Sequence, residues 1–483
     1  MFMGTGSDVG KSLIVAGLCR AFADRGLRVA PFKPQNMSNN AGVTVDGGEI
    51  GRAQMLQARA ARRDPVTAMN PVLLKPEHEA GSQVIVRGKR IATMPAREYW
   101  ARRGDFLPGV LEAYDSLAAD ADLVLVEGAG SASEINLRHG DIANFGFARA
   151  RNVPVVVIGD IQRGGVIASL VGTLAVIDPD DARLVAATLV NKFQGDPTLF
   201  EDGQRLIAER TGVPCLGPVR WFERASRLPA EDSLALQHGR RRGDGPFVIA
   251  VPQLPHIANF DDLDPLRAEP GVEVVMVGIG APIPDADLIV IPGTKATIAD
   301  FRFLQHEGWG IDIMAHHRRG RPILGICGGY QMLGQLIADP SGIEGPPQTV
   351  DGFGLLRIDT RLGETKQLRL ETALHNDTGE AIDGYHIHMG ETWGEDCESP
   401  FATVEGRPEG AVSRDGLVMG TYLHGLFAAD GFRRAFLDRL GAATLGERAY
   451  ERSIDQTLQL LAWHLETYLD LDRLLMLARE PRV

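Results

Sequence analysis

Short apolar runs rich in valine and isoleucine recur along this chain, with helix-patterned segments between them. The clearest in the first half are "LVLVEGAG" (123–130), "VPVVVIGD" (153–160) and "LVAATLVNKF" (184–193). A run with no polar alternation suits a strand buried on both faces, and helices must then cover both sides of the sheet. Between such runs, "KSLIVAGLCRAFADRG" (11–26) carries a helical period, with Gly26 placed for a left-handed cap. The alternation breaks at the polar stretch "RASRLPAEDSLALQHGRRRGDGP" (224–246). It restarts with "FVIAVPQLP", "VEVVMVG", "DLIVIPG" and "PILGICGG". The fold class expected is α/β with two doubly wound domains, at 1–223 and 247–441, joined by a linker at 224–246. A helical tail, 442–483, should pack on one of them. A chain of 483 residues is also too long for one ordinary core.

Charge and cysteine usage narrow the function classes. The net charge of −13 argues against a basic nucleic-acid-binding surface. Cys19, Cys215, Cys327 and Cys397 form no C-x-x-C pair, which disfavours a zinc site or a disulfide framework. No apolar run reaches the ~18 residues of a membrane span, and no signal-peptide pattern precedes Gly4. The expected compartment is the cytoplasm, with no membrane or nucleic-acid partner.

"GTGSDVGKS" (4–12) sits where a first strand should hand over to a helix. Backbone N–H groups in such a loop cradle phosphate oxygens. Gly4, Gly6 and Gly10 would shape it, Lys11 would reach the β/γ-phosphates, and Ser12 would ligate Mg²⁺. The loop holds one residue more than the usual spacing, resembling the variant loop of the dethiobiotin synthetase group. Only three residues precede Gly4, so a short first strand is expected. Glu127 ends a strand and would face the ligand crevice, as a Mg²⁺ ligand or a turn cap. Asp46 and Asp160 raise the same choice. Asn191 follows an apolar strand and would read an adenine edge or cap a loop.

Cys327 follows the strand-like "PILGI" and precedes the helix-like "GGYQMLGQLI". A nucleophile on such a strand–turn–helix corner is raised towards substrate. The N–H of Gly328 is a natural oxyanion donor, and Gly293 in "LIVIPGTKA" would supply a second. His424 in "MGTYLHGLF" is the favoured base, with His386 and His388 of "YHIHMGET" competing. The alternative for Cys327 is a small buried apolar residue.

The elbow cysteine, the "PGT" strand and the downstream histidine together resemble a class I glutamine amidotransferase domain of flavodoxin-like fold. Such domains release ammonia from glutamine through a thioester. Their usual ending is His-Pro-Glu, whereas here His424 precedes Gly425 and Leu426, leaving open what orients it. The cobyrinic and cobyric acid synthase branch shares that departure. "FKPQNMSNNAGVTVDGGEIGRAQ" (32–54), "MNPVLLKP" (69–76), "VEGAGSASEINLRHGDIANFGFA" (126–148) and "IGDIQRGGVIASLVGT" (158–173) resemble the cobyric acid synthase family nearly end to end.

The resemblance implies ATP- and glutamine-dependent amidation of the b, d, e and g carboxylates of a corrinoid, adenosylcobyrinic acid a,c-diamide, with Mg²⁺ as cofactor. Lys33, Arg52, Lys75 and Arg138 lie in the matched stretches and are candidate partners of the substrate carboxylates. The closest rival is cobyrinic acid a,c-diamide synthase, with the same chemistry at other carboxylates. A partitioning ATPase of the ParA/MinD type is a more distant one, since it carries an extra lysine where this chain has Gly6.

Overall fold

The computed structural model describes residues 1–78, 81–230, 247–442 and 449–479. In the first half, strands Phe2–Gly4, Val155–Asp160, Val185–Asn191 and Cys215–Leu216 form a parallel sheet in that order. A parallel pair, Val29–Phe32 with Leu123–Val126, joins it through a bridge between Phe2 and Glu127. The first strand is only three residues long. The Val, Ile and Leu side chains of the inner strands are buried on both faces, which is why these runs show no alternation.

The helix Lys11–Asp24 follows the glycine loop and buries Ile14, Val15, Leu18, Cys19 and Phe22. The tail packs on this helix, so it belongs to the first half. Helix Tyr450–Tyr468 presents Ile454, Leu458, Leu461 and Leu465, a spacing of four and three that makes one apolar stripe. Gly17 allows the close crossing: a Cβ there would meet Leu465 Cδ1 at 2.5 Å. Arg20 and Arg59 reach Asp455 across the seam at 3.2 and 2.8 Å.

A smaller layer that the alternation pattern did not announce is inserted after Phe32. It comprises the sheet Gln35–Met37, Val72–His78, Gly81–Val86 and Lys89–Pro95, and the hairpin Ala41–Val43 with Glu49–Gly51. These strands carry the first half towards the second.

The second half holds a sheet ordered Val272–Val277, Phe247–Pro252, Leu288–Ile291, Ile323–Ile326, Val418–Thr421 and Ala411–Val412, antiparallel only at the last pair. A second sheet is built on the long hairpin Ile358–His375 and Ala381–Gly394. Strand Leu423–His424 joins that hairpin directly after the parallel strand Val418–Thr421. His424 therefore sits where the chain passes from one sheet to the other.

The halves meet through an apolar cluster. Ala41, Val43, Leu73 and Ile85 of the first pack with Tyr385 and Ile387 of the second. Of the expected linker, Glu223–Arg227 is a 3₁₀ turn with Arg224, Ser226 and Arg227 exposed, and Leu228 is buried against the fold. Its remainder, 231–246, lies outside the described residues, as do 443–448 and 480–483 of the tail.

The helix-on-helix seam yields a stability test. Leu458→Ala removes a fully buried side chain and should destabilise the first half by about 2–5 kcal/mol. Trp463→Ala, on the exposed side of the same helix, should change stability by less than about 0.5 kcal/mol. Urea unfolding of the two variants reads the difference.

Candidate active sites

The glycine loop is shaped by contacts only glycine tolerates. A Cβ on Gly4 would meet Val9 Cγ2 at 2.7 Å and the Gly6 carbonyl at 2.8 Å. Gly10 lies at φ +95°, and a Cβ there would strike Asn191 Nδ2 at 2.4 Å. Gly6 instead faces open space. Lys11 Nζ donates to the carbonyls of Gly6 and Gly130, both at 3.0 Å, so its charge is held over the loop. Asn191 donates to the Val9 carbonyl at 2.8 Å and buttresses the loop from the neighbouring strand.

Glu127 is fully buried at the end of its strand. Its Oε1 accepts from Ser12 Oγ at 2.7 Å and from Lys33 Nζ at 2.8 Å. Its Oε2 accepts from Gln57 Nε2 at 2.6 Å. Ser12 and Glu127 thus place two oxygen donors side by side beneath the loop, the hard-oxygen pairing that suits Mg²⁺ alongside nucleotide phosphates and water. Among the described residues no cluster of three metal-ligating side chains exists, so phosphate and water oxygens would complete such a site.

A cleft of about 1310 Å³ opens above the loop. Lys33 and Arg138 line it, the latter bonded twice to Asp181 at 2.6 and 2.9 Å. Beside it, an apolar slot of about 130 Å³ runs from Gly10 past Asn191, Val219 and Phe222. Leu461, His464 and Leu465 of the tail helix form its far wall. Local sequence gave no sign that the tail would contribute here.

Three expectations are corrected. Asp46 lies at the turn between strands Ala41–Val43 and Glu49–Gly51, where it accepts from Thr67 N–H at 3.1 Å and Thr67 Oγ1 at 2.7 Å. It is a turn cap away from the loop, as its Asp-Gly-Gly setting allows. Arg52 pairs with Asp261 of the second half at 2.6 Å and, unlike Lys33 and Arg138, does not line the cleft over the loop. Lys75 is buried against Glu49, which also holds Lys366 of the second half. Burial alone would raise Glu49, but Lys366 and Lys75 bring its pKa down to about 2. Lys75 lines the chamber of Cys327 and not the cleft over the loop. Asp160 accepts from Gln162 N–H at 2.8 Å and pairs with Lys192 at 3.0 Å, holding a strand end.

The second site lies in a chamber shared by both halves. Cys327 ends strand Ile323–Ile326 and caps helix Gly328–Leu333 with φ +53°, ψ −110°. A non-glycine residue there is strained, and such strain is characteristic of functional corners. Gly293 and Gly328 are sterically required. A Cβ on Gly293 would stand 3.0 Å from His424 Cε1 and 3.6 Å from Cys327 Cβ, so both side chains converge over this glycine. A Cβ on Gly328 would meet Thr294 Cγ2 at 2.5 Å. Gly328 opens its helix, where backbone N–H groups have no intrahelical acceptor.

What orients His424 is Asp262, a residue that sequence reasoning missed. Asp262 Oδ2 lies 2.7 Å from His424 Nδ1, and its Oδ1 accepts from Gly425 N–H at 2.6 Å. Both side chains are buried. Burial works against charge on His424, yet the Asp262 carboxylate prevails, with help from Cys327, and the pKa rises to about 10. Nε2 has no hydrogen-bond partner among the described residues, and the ring lines the same chamber as Cys327. Tyr385 stacks on the ring at 5.5 Å. The competing histidines are placed otherwise: His388 stacks on Tyr422 at 3.8 Å and burial pushes it down to about 3. His386 stands between Glu371 and Glu409 at 3.5 and 3.7 Å. The only sequence signal for Asp262 was the acidic run "NFDDLDP" after an apolar segment.

A strained cysteine elbow, an aspartate-held histidine and a separate phosphate loop define a glutamine amidotransferase joined to a nucleotide-binding unit. Comparison with known proteins agrees. Residues 248–432 match the CobB/CobQ-like glutamine amidotransferase domain, and 1–235 the CobQ/CobB/MinD/ParA nucleotide binding domain. A cobyric acid synthase of Cereibacter sphaeroides is 58% identical over 480 residues, covering 99% of each chain. One of Methylobacterium nodulans is 60% identical over 482 residues, covering 99% of this chain and 98% of its own. One of Bradyrhizobium diazoefficiens is 57% identical over 480 residues, covering 99% of each. The chain belongs to the cobyric acid synthase family. No described helix is long and apolar enough to cross a membrane.

The raised pKa of His424 sets a pH test. An imidazolium held to about 10 should sustain glutamine hydrolysis well into alkaline pH. Asp262→Asn removes the carboxylate and lets burial dominate, so the ring gives up its proton at lower pH. The alkaline limb of kcat/KM should move to lower pH, with kcat down about 10²-fold. An unchanged limb would refute the role given to Asp262.

Proposed function

We propose that this chain amidates the b, d, e and g carboxylates of adenosylcobyrinic acid a,c-diamide, using ATP and glutamine, to give adenosylcobyric acid. The observation that carries the reading is the placement of two complementary sites around one short segment. Asn36 and Met37 line the cleft over the phosphate loop, and Asn39 lines the chamber of Cys327. Residues 1–223 with the tail would serve as the synthetase, and 247–441 as the glutaminase.

A carboxylate is a poor acceptor of ammonia because its oxygen is a poor leaving group. Transfer of the γ-phosphoryl of ATP to it gives an acyl phosphate, and ammonia then displaces phosphate. Such transfer asks chiefly for positioning and neutralised charge. Lys11 would swing from its carbonyl partners onto the phosphates as they enter. Ser12 and Glu127 would hold Mg²⁺, which would supply charge neutralisation for the phosphates. Lys33, now on Glu127, stands ready to take the substrate carboxylate, with Arg138 on the cleft wall. The apolar slot suits adenine, sandwiched between the Phe222 side and the tail helix. The breadth of the cleft suits a large flat ring that presents its carboxylates in turn.

In the glutaminase, the Cys327 thiolate attacks the glutamine carboxamide carbon. The carbon–nitrogen bond breaks as His424 Nε2 gives its proton to the departing ammonia. The N–H groups of Gly293 and Gly328 would hold the oxyanion, and water then frees glutamate from the thioester. Asp262 keeps the ring oriented throughout. Amidation of other corrinoid carboxylates, as in a cobyrinic acid a,c-diamide synthase, is not favoured by the relatives.

Mass spectrometry of product formed from ATP, Mg²⁺, glutamine and the a,c-diamide tests the reading directly, and four added amide groups are expected. Cys327→Ser should abolish glutamine-dependent amidation and keep amidation from added ammonium. Lys11→Ala should remove both, lowering turnover by about 10²-fold or more. Ammonium-dependent turnover left intact in Lys11→Ala would contradict the assignment.

A further inference from the structure

The aspartate that orients the catalytic histidine stands on a loop of the second half that the first half holds in place. That loop, 257–263, follows strand Phe247–Pro252 and is tied to the neighbouring strand's glycine, Ala258 N–H donating to the Gly293 carbonyl at 2.9 Å. It turns at Asn259, which adopts φ +52°, an uncommon conformation for a residue with a side chain. Its 3₁₀ turn Phe260–Leu263 then delivers Asp262 to His424. Three contacts from the first half meet the loop. Ala41 N–H donates to Asn259 Oδ1 at 3.2 Å, Phe260 N–H donates to Asn40 Oδ1 at 3.3 Å, and Arg52 pairs with Asp261 at 2.6 Å.

The last contact bears on the chemistry. Asp261 and Asp262 are adjacent, both side chains are buried, and Asp261 interacts electrostatically with His424 and with Asp262. A second buried carboxylate within reach of one imidazolium competes for it, and buried like charges repel. Arg52 neutralises Asp261 and draws it towards the first half. We propose that Arg52 is a positioning residue for the glutaminase: by pairing with Asp261 it leaves Asp262 as the sole carboxylate on His424. The synthetase half therefore completes the glutaminase site. Arg52 opens the helix Arg52–Ala60, whose Gln57 donates to Glu127 at the phosphate loop. One short rigid element thus touches the carboxylate of the nucleotide site at one point and the orienting loop of the glutaminase at another.

This inference rests on the amidotransferase reading above, and its test separates the two. In the full chain, Arg52→Gln and Arg52→Lys are assayed for glutamine hydrolysis and for amidation from saturating ammonium. Arg52→Gln should lower kcat for glutamine hydrolysis by about tenfold or more, with KM for glutamine within about twofold. Ammonium-dependent amidation should stay within about twofold of the parent, because the phosphate-loop site is untouched. Arg52→Lys, which restores a cation, should recover most of the lost rate. Unchanged glutamine hydrolysis in Arg52→Gln would overturn the proposal, as would equal loss of both activities, which marks a merely structural residue. Should Arg52→Gln not yield folded protein, the double variant Arg52→Gln/Asp261→Asn carries the test: with the competing carboxylate gone together with its partner, glutamine hydrolysis should stay within about twofold of the parent, and a loss of about tenfold would overturn the proposal. Absence of ammonium-dependent amidation in the parent chain would instead count against the amidotransferase reading itself.

Discussion

Two buried ion pairs cross between the halves of this protein, Arg52 with Asp261 and Lys366 with Glu49. A buried charge that loses its partner costs about 3–5 kcal/mol, and parting the halves would take Arg52 from Asp261 and Lys366 from Glu49, which would keep Lys75. The apolar cluster around Leu73, Ile85, Tyr385 and Ile387 closes the same seam. This junction fixes the chamber of Cys327 against the inserted layer of the first half. It also fixes the separation between the thiol and the phosphate loop.

Each site is then a local solution to a local problem. The glycine loop must bring backbone N–H groups close to phosphate, and its glycines are those whose Cβ would collide with loop or neighbour. Cys327 must stand proud of a tight corner, and its positive φ is the strain that holds it there. His424 must stay charged while buried, and Asp262 overcomes the desolvation that burial imposes. The first two are built within their own halves, while the third draws on Arg52 of the first half, which holds Asp261. What needs both sites is nitrogen transfer, because free ammonia at neutral pH is largely protonated and inert. The run from Asn36 to Asn39, shared between cleft and chamber walls, is the shortest stretch of chain between the two chemistries.

Sequence reasoning succeeded where the determinants are contiguous. The strand–glycine–helix alternation, the loop from Gly4 to Ser12, the elbow at Cys327 and Glu127 at a strand end are all short-range patterns, and the structure shows each local geometry. It failed where a role depends on a partner far along the chain. Arg52 and Lys75 sit in stretches characteristic of the family, but nothing near them reveals Asp261 or the Glu49–Lys366 pairing. Asp46 looked like a carboxylate beside glycines at a ligand site, when those glycines serve a hairpin turn. Asp262 was invisible because the histidine it orients lies 162 residues away. The tail's share in the apolar slot was hidden for the same reason, since amphipathic spacing tells that Leu461 is buried and not against what.

Nitrogen freed at Cys327 is expected to reach the activated carboxylate inside the protein. It is tested most directly by supplying glutamine labelled with ¹⁵N at the carboxamide together with an excess of unlabelled ammonium, and weighing the amide groups of the product. Product carrying predominantly ¹⁵N despite the excess is expected. A label content that simply follows the mixing ratio of the two nitrogen sources in bulk solution would contradict it.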